Sequence, residues 1–302
     1  MAHPSIAVIG SGFSGMVTAI QLEKKLYLSA DIFEPTEDIG GTWHYNQYPG
    51  CACDVPSHLY SFSFELNPNW SQQYSSQREI HEYMRSVAKK YSIYKQTQFN
   101  TEVVCATWID ETNEWEIELK TSGSKETQLG RYNYIFSGLG AICVPNIPNE
   151  FQSFQGKIIH SAYWDHDYDF AGKTVAVVGS GTSSSPIITP GCKRVGISDD
   201  YLQALCQRNV TVNTSPIANV QGQTITTVDG SETQVDVLCL ATEFNVNGFL
   251  GHMQVHSRKG VHLNKLWDEN SAKTYKTVNI HGFPNFFMML LVLALNIILL
   301  LR

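Results

Sequence analysis

Two stretches of the chain share one pattern, a short apolar run followed by a glycine-rich loop. In the first, Ile6–Ile9 precedes GSGFSG at 10–15, and the helical stretch Met16–Lys25 follows. In the second, Thr174–Val178 precedes GSGTSS at 179–184. An apolar strand, a glycine turn and a helix form the start of a dinucleotide-binding βαβ unit. The pattern therefore predicts an α/β protein with two Rossmann-like domains.

Each glycine of the first loop has a predicted task. Gly10 allows the tight turn from strand to helix, and Gly12 lets the backbone approach a pyrophosphate. Gly15 lets the helix pack closely on the strand. The helix N-terminus, with Phe13 and Ser14 in its first turn, presents free N–H groups and a partial positive charge to the phosphates.

An acidic residue ends the next apolar stretch. The run Ser29–Phe33 is followed by Glu34, at about the spacing where a carboxylate accepts hydrogen bonds from an adenosine ribose. An acid at this point favours a free 2′-hydroxyl. The first site is therefore predicted to take FAD or NAD rather than NADP.

The second loop is followed by a different kind of sequence. A nucleotide-binding unit needs a crossover helix of ten or more residues after the loop. Here Pro186, Pro190 and Gly191 follow instead, and they cannot continue such a helix. The second domain is therefore predicted to be truncated. Its candidate nucleotide contacts are Gly179, Gly181, Thr182 and Ser183.

Further elements follow from local signals. Ser76 and Glu79 have the spacing of a capping box for a helix that runs to Tyr91. Asp110–Asn113 and Asp229-Gly230 are predicted hairpin turns. The run Val235–Ala241 is predicted as a buried strand that returns the chain to the first domain.

These elements predict two domains, of which the first is complete and discontinuous. It takes residues 1–145 and 241–302, and the shortened second domain takes 146–240, after the Gly/Pro-rich connector Gly138–Pro148. A chain of 302 residues with 43% hydrophobic residues can build the cores of both.

Charge and cysteine spacing exclude several classes of function. The net charge of −7, with no basic run, argues against nucleic acid as a partner. The seven cysteines lack metal-ligand spacing, so no metal site is predicted, and reduced thiols are expected in an intracellular, cytoplasmic protein. Met1–Ser5 is too short and polar for a signal peptide.

The apolar tail leaves two interpretations. Phe286–Leu301 is apolar except for Asn296, and as a helix it would span about 24 Å, less than the ~30 Å of a bilayer core. Its first part is expected to belong to a core strand. Membrane association through the tail and a buried tail both stay open.

One string between the two loops is specific to a family. Phe154, Gly156, His160, Trp164 and Asp165 fill every fixed position of F-x-G-x-x-x-H-x-x-x-W-[P/D]. GGTW at 40–43 and the string YPGCACDVPS at 48–57 match the same family. The chain resembles the flavin-dependent Baeyer–Villiger monooxygenases, within the flavin-containing monooxygenases.

The resemblance implies a cofactor pair, FAD and NADPH, and a set of site residues. The implied FAD contacts are Gly41, Thr42, Trp43, Asp54, Tyr60 and Val103. Asp54 would lie near the flavin ring and His160 would couple domain movement to the flavin. The segment Pro190–Arg194 resembles the family's Pro-Gly-x-Lys-Arg string, and this resemblance implies that Arg194 is the catalytic arginine. A guanidinium suits this role because it keeps its charge at any working pH and offers several donors to an anionic oxygen.

The chain also departs from the family pattern. The family's strand with an Arg-Thr pair that grips the NADP 2′-phosphate has no counterpart after Gly181. Glu243 stands where the family has glycine, and a buried carboxylate without a partner would be costly. After His281–Met289, an apolar tail replaces the family's Gly-Pro-Asn turn and helix.

Three functions follow from these observations. The first is insertion of one oxygen atom from O2 beside the carbonyl of a small ketone, in the manner of the family. The second is an FAD-binding remnant or mis-joined gene product that catalyses nothing. The third is oxygenation of nitrogen or sulfur within the same class, which the terminal Trp164-Asp165 of the fingerprint disfavours.

Overall fold

The computed structural model describes residues 3–140, 143–179, 201–245, 249–270 and 272–289. In these residues the strands are β1 Ile6–Ile9, β2 Asp31–Phe33, β3 Thr97–Gln98, β4 Thr101–Ile109, β5 Glu114–Thr121, β6 Thr127–Tyr132, β7 Tyr134–Ser137, β8 Lys157–His160, β9 Val175–Val178, β10 Ile217–Gln221, β11 Thr224–Thr227, β12 Glu232–Gln234, β13 Val237–Leu240, β14 Gln254–His256 and β15 Phe286–Met288. The α-helices are α1 Phe13–Leu26, α2 Thr42–Tyr45, α3 Gln77–Lys90, α4 Ile93–Gln96, α5 Tyr201–Leu205 and α6 Leu263–Asn270. Short 3-10 helices cover Ser57–Tyr60, Asn149–Phe151, Ser161–Tyr163 and Arg258–Gly260.

The chain forms two compact units. The first comprises 1–45, 57–144 and 245–302, and the second comprises 46–56 and 145–244. The sequence prediction placed 46–56 in the first domain, whereas this segment clusters with the second unit.

The first unit is built on a parallel sheet with the order β15-β7-β1-β2-β3. All four residues of β1 are buried, as expected for a strand with neighbours on both sides and cover on both faces. A second sheet has the order β14-β4-β5-β6. Its residue Trp115 is fully buried, lies 5.5 Å from the ring of Phe286 and donates from Nε1 to the Pro284 carbonyl at 2.8 Å. This side chain ties β5 to the segment that enters β15.

The second unit contains a parallel sheet, β8-β13-β9, and an antiparallel sheet, β10-β11-β12. The run predicted as a buried strand at Val235–Ala241 is β13, the central and fully buried strand of the parallel sheet. The edge strand β9 differs, since Val175 is 38% and Val177 62% exposed. Parallel strands normally have both faces covered, so this edge is unusually open.

The capping box forms only in part. Ser76 Oγ accepts from the Glu79 N–H at 3.4 Å, and α3 ends at Lys90 with Tyr91 as its C-cap. The Glu79 carboxylate bonds the backbone N–H and hydroxyl of Ser71, each at 2.8 Å, instead of returning to Ser76. The helix boundaries were predicted well, but the reciprocal half of the box was wrong.

Both predicted hairpins are present. β4 and β5 pair antiparallel across Asp110–Asn113, where Asn113 has φ +55°. β11 and β12 pair antiparallel around Gly230, whose φ is +83°. The strands β3, β6, β8, β10 and β14 were not predicted; several are short and expose polar side chains.

The first part of the apolar tail lies in a core strand, as expected. Phe286 and Met288 of β15 are buried, and β15 pairs in parallel with β7. Residues 290–302 lie outside the described residues. Among the helices described, none has both the length and the apolar character needed to cross a membrane. Of the six cysteines described, Cys53 and Cys239 are buried.

Candidate dinucleotide site and fingerprint segment

The first glycine loop has the geometry that its sequence predicts. Gly10 has φ +89°, a conformation that favours glycine, and its N–H donates to the Phe33 carbonyl at 2.8 Å. A Cβ on Gly15 would lie 1.8 Å from the Gly10 carbonyl oxygen, so no other residue fits there. The loop therefore joins β1 to α1 by a turn that tolerates no side chain at its two ends.

A short loop with two glycines, the Gly40-Gly41 loop, packs against the glycine-rich loop at 10–15. The Gly40 N–H donates to the Ser11 carbonyl at 3.2 Å, and a Cβ on Gly41 would lie 3.1 Å from the Gly12 Cα. A Cβ on Gly12 would have no heavy atom closer than 3.6 Å. Gly12 is also the N-cap of α1 and provides no side-chain cap to the first-turn N–H groups. A bare backbone and an uncapped helix N-terminus fit the pyrophosphate of a dinucleotide.

Glu34 is buried at the end of β2, with 2% of its surface exposed. Its Oε2 accepts from the Ser11 N–H at 2.8 Å and from Ser11 Oγ at 2.7 Å. Its Oε1 accepts from the Thr36 N–H at 3.1 Å and from Thr36 Oγ1 at 2.8 Å. A carboxylate has about four acceptor positions, so a ribose hydroxyl has to replace one of the two rotatable hydroxyls. Ser11 and Thr36 were missed by sequence reasoning, although both hydroxyls lie within two positions of predicted site residues.

Aromatic rings lie beside the two glycine loops. The ring of Trp43 meets that of Tyr60 edge-on at 5.0 Å, and Phe13 lies 6.2 Å from Tyr60 and 5.1 Å from Phe62. Trp43, in α2, is 7% exposed. The structure thus brings the predicted contacts Phe13, Trp43 and Tyr60 together.

The other predicted contacts in the first unit lie on its strands and helix starts. Ser14 is buried in the first turn of α1, and Thr42 begins α2. The Val103 side chain is 4% exposed and belongs to the core beside β4.

The fingerprint segment has a structural explanation at most of its fixed positions. Phe154 is part of the core of the second unit, and a Cβ on Gly156 would lie 2.5 Å from the Asp236 carbonyl oxygen. Trp164 stacks on Phe170 with centroids 5.5 Å apart. Asp165 pairs with Lys157 at 2.6 Å, and this partner lowers the pKa of its carboxyl.

His160 ends β8 and is 3% exposed. Its Nδ1 accepts from the Ala162 N–H at 3.1 Å, and its ring meets Phe244 edge-on at 5.9 Å. Burial lowers the pKa of the imidazole, and the nearby backbone of Glu243 opposes this only in part. The ring is therefore held in its neutral form near neutral pH.

Glu243 corrects one expectation. Its side chain is exposed, so the predicted cost of a buried carboxylate does not arise. Its φ is +65°, a left-handed conformation, which gives a physical reason for glycine at this position in the family.

The glycine-rich loop at 179–184 is described only at its start. Gly179 has φ +135°, and a Cβ there would lie 2.3 Å from the Ala241 carbonyl oxygen. Gly181, Thr182, Ser183 and Arg194 lie outside the described residues. Asp54 belongs to the segment 46–56 of the second unit and is half-buried.

Comparisons with known proteins agree on one family. Residues 3–198 match the model of the flavin-binding monooxygenase-like (FMO-like) family. A Baeyer-Villiger monooxygenase of Pseudomonas aeruginosa is 30% identical over 386 aligned positions, which cover 95% of this chain and 72% of that protein. A Baeyer-Villiger monooxygenase of Streptomyces coelicolor is 29% identical, with 94% and 72% covered.

A solved structure shows the same fold. The closed crystal structure of cyclohexanone monooxygenase superimposes with a TM-score of 0.81 at 23% identity, covering 95% of this chain and 80% of that one. The alignment of 386 positions with the P. aeruginosa protein is longer than this chain of 302 residues, so segments of that relative have no counterpart here. The truncation of the second domain nevertheless stays a prediction.

These findings confirm the predicted α/β fold with Rossmann-like domains. They also confirm the predicted class of enzyme, a flavin-dependent monooxygenase. Which residues bind each cofactor is not tested by the comparisons. On the matched residues and the 30% identity, the chain belongs to the flavin-binding monooxygenase-like family, among the Baeyer–Villiger monooxygenases.

Proposed function

We propose that FAD binds at the two glycine loops of the first unit, and that the protein inserts one oxygen atom from O2 beside the carbonyl of a small ketone. The observation that carries this proposal is the bare backbone at Gly12, framed by the N-terminus of α1, Gly41 and Glu34. The cyclohexanone-bound and caprolactone-bound structures of cyclohexanone monooxygenase support a ketone as the substrate class.

The chain's own groups divide the work of binding. The N-terminus of α1 and the backbone at Gly12 hold the pyrophosphate, because free N–H groups and the helix dipole attract its charge. Glu34 accepts from the ribose, and Trp43 and Tyr60 cover the cofactor with apolar surface. When bound, FAD supplies electron transfer from NADPH and the activation of O2.

We assign Arg194 the stabilisation of negative charge that develops on the ketone oxygen. Its guanidinium stays charged and offers several donors, and Asp54 is the second residue that we assign to the reaction. Both roles come from the family resemblance. His160, buried and neutral at the end of β8, is assigned to the coupling of domain movement rather than to proton transfer.

The alternative of an FAD-binding protein with impaired catalysis is favoured by one observation. Val177 of β9 is 62% exposed where a doubly wound sheet is normally covered. Among the described residues, which leave out 180–200 directly after β9, a nicotinamide site built on this strand therefore has less cover than expected. Nitrogen or sulfur oxygenation remains the second alternative, without a structural observation in its favour.

The visible spectrum of the purified protein, before and after adding NADPH without oxygen, tests the proposal. We expect a flavin band that bleaches, followed by ester formation from ketones in air. A band that NADPH does not bleach would favour the impaired protein.

Gly12→Ala, which has room for its methyl group, is expected to fold and to retain less flavin. Flavin content equal to the parent's would overturn the assignment of Gly12.

Arg194→Ala tests the assigned chemistry. We expect ester formation to stop while NADPH oxidation continues, because reduction of the flavin does not need the guanidinium. An undiminished ester yield would remove Arg194 from the mechanism.

A further inference from the structure

The carboxylate of Asp38 lies just before the Gly40-Gly41 loop and accepts hydrogen bonds from several elements. Asp38 Oδ2 accepts from Arg85 at 2.6 Å, and Oδ1 accepts from the Tyr94 hydroxyl at 2.8 Å. Oδ1 also accepts from the Ile39 N–H at 2.8 Å. The side chain of Asp38 is 17% exposed, against 43% for Arg85. One carboxylate thus connects α3, α4 and the start of the loop.

The contacts keep this carboxyl ionised. Burial alone would raise the pKa of Asp38, but the hydrogen bonds from Tyr94, Ile39 and Arg85, together with the charge of Arg85, lower it overall. A charge-assisted, partly buried pair is stronger than an exposed one and has a defined geometry. The cluster around Asp38 can therefore hold the backbone at the start of the Gly40-Gly41 loop in one position.

Helix α3 also contacts the Gly40-Gly41 loop through His81. His81 of α3 has its Nε2 2.6 Å from the Ile39 carbonyl oxygen, and a Cβ on Gly40 would lie 2.8 Å from the His81 ring. Gly40 has φ +132°, which a side chain would not tolerate. One side of the loop thus packs closely on α3.

On its other side the loop meets the first glycine loop. The Gly40 N–H bonds the Ser11 carbonyl at 3.2 Å, and Gly41 packs on Gly12. Any shift of Ile39 or Gly40 therefore changes the surface at Gly12. Asp38 and α3 thus hold the loop that meets Gly12.

We infer that Asp38, held by Arg85 and Tyr94, is a positioning residue that fixes the Gly40-Gly41 loop against Gly12 and so sets the affinity for FAD. This inference rests on the proposed binding of FAD at Gly12. Asp38 acts through the loop backbone and takes no part in the reaction.

FAD titration of the apoprotein tests the inference, with flavin fluorescence as the readout. We expect the Kd for FAD to rise about tenfold in Asp38→Ala, which corresponds to about 1.4 kcal/mol. Asp38→Asn loses the charge and one of the two acceptor oxygens but keeps the other, and it is expected to give a smaller rise. Arg85→Lys, which keeps the positive charge, should recover most of the affinity that Arg85→Met loses.

The pair Arg78–Glu82 supplies the matched control. It lies on the same helix at 2.9 Å, but with side chains 85% and 56% exposed. Glu82→Gln is expected to leave the Kd unchanged, because an exposed pair fixes little. The denaturation midpoint of each apoprotein is measured in parallel. A Kd in Asp38→Ala within about twofold of the parent's would overturn the inference, as would a rise fully matched by loss of apoprotein stability.

The two proposals fail in different ways. If Gly12→Ala binds FAD as tightly as the parent, the assigned FAD site is wrong. If Gly12→Ala loses affinity and the Asp38 variants do not, the site stands and the positioning role of Asp38 is wrong.

Discussion

Gly12 and Gly41, from loops 29 positions apart in the sequence, are in direct contact: a Cβ on Gly41 would lie 3.1 Å from the Gly12 Cα. The lack of a side chain on Gly41 therefore lets the two backbones approach closely. The contact joins the loop that starts α1 to the loop that starts α2. The candidate FAD site is thus a product of two glycine loops, of which only the first has the common dinucleotide pattern.

Gly15→Ala is expected to destabilise the protein by about 3 kcal/mol, because the new methyl group would overlap the Gly10 carbonyl oxygen. Denaturant unfolding of the two proteins measures the difference. Gly123→Ala is the control, since it has φ +80° but open space around it. It should cost only about 1 kcal/mol of backbone strain. Equal costs would show that the α1–β1 contact is looser than described.

Glu243→Gly is expected to be more stable than Glu243→Ala by about 1 kcal/mol. The residue has φ +65°, where glycine is unstrained and alanine is not. The comparison of two variants removes any contribution of the carboxylate itself. Unfolding free energies that are equal, or that favour alanine, would contradict the left-handed conformation.

Trp115→Phe is expected to cost about 2–3 kcal/mol. The Pro284 carbonyl loses its donor and a small cavity remains in the core. Trp108→Phe is the matched control, because the Trp108 Nε1 bonds Asp110, which is 53% exposed and can turn to water. A larger loss of unfolding free energy in the control would argue against the burial of the Trp115–Pro284 bond.

The buried imidazole of His160 predicts a dependence of stability on pH. Its pKa in the folded protein lies below the unfolded value of 6.5, so the unfolded chain takes up the proton first. The stabilisation is present above pH 6.5 and is lost as the pH falls below it, by at most about 1.4 kcal/mol per pH unit.

His160→Asn should reduce this loss, since asparagine can still accept from the Ala162 N–H but does not titrate. Denaturation midpoints at pH 7 and pH 5.5 give the measurement for both proteins. If the variant and the parent lose the same stability between these values, His160 is not buried in its neutral form.

Local sequence patterns determined a large part of this protein. The strand–glycine–helix pattern predicted β1 and α1 because a tight turn next to a helix has few backbone solutions. The helix α3 was predicted from the spacing of Ser76 and Glu79, and its apolar residues Ile80, Met84 and Val87, which lie on one face, are all buried. The fingerprint around His160 identified the family before any contact was known.

Only the tertiary structure decided the contacts between distant segments. Asp38 meets Arg85 and Tyr94 across 47 and 56 positions, and Glu34 accepts from Ser11 across 23. No local period encodes such pairings, since they depend on where α3, α4 and β2 come to lie. Short strands such as β3 and β14 were missed for the same reason, because their partners, not their own residues, hold them in a sheet. Sequence thus determined the family and the individual loops, whereas the packing of one loop on the other, at Gly12 and Gly41, was decided by the fold.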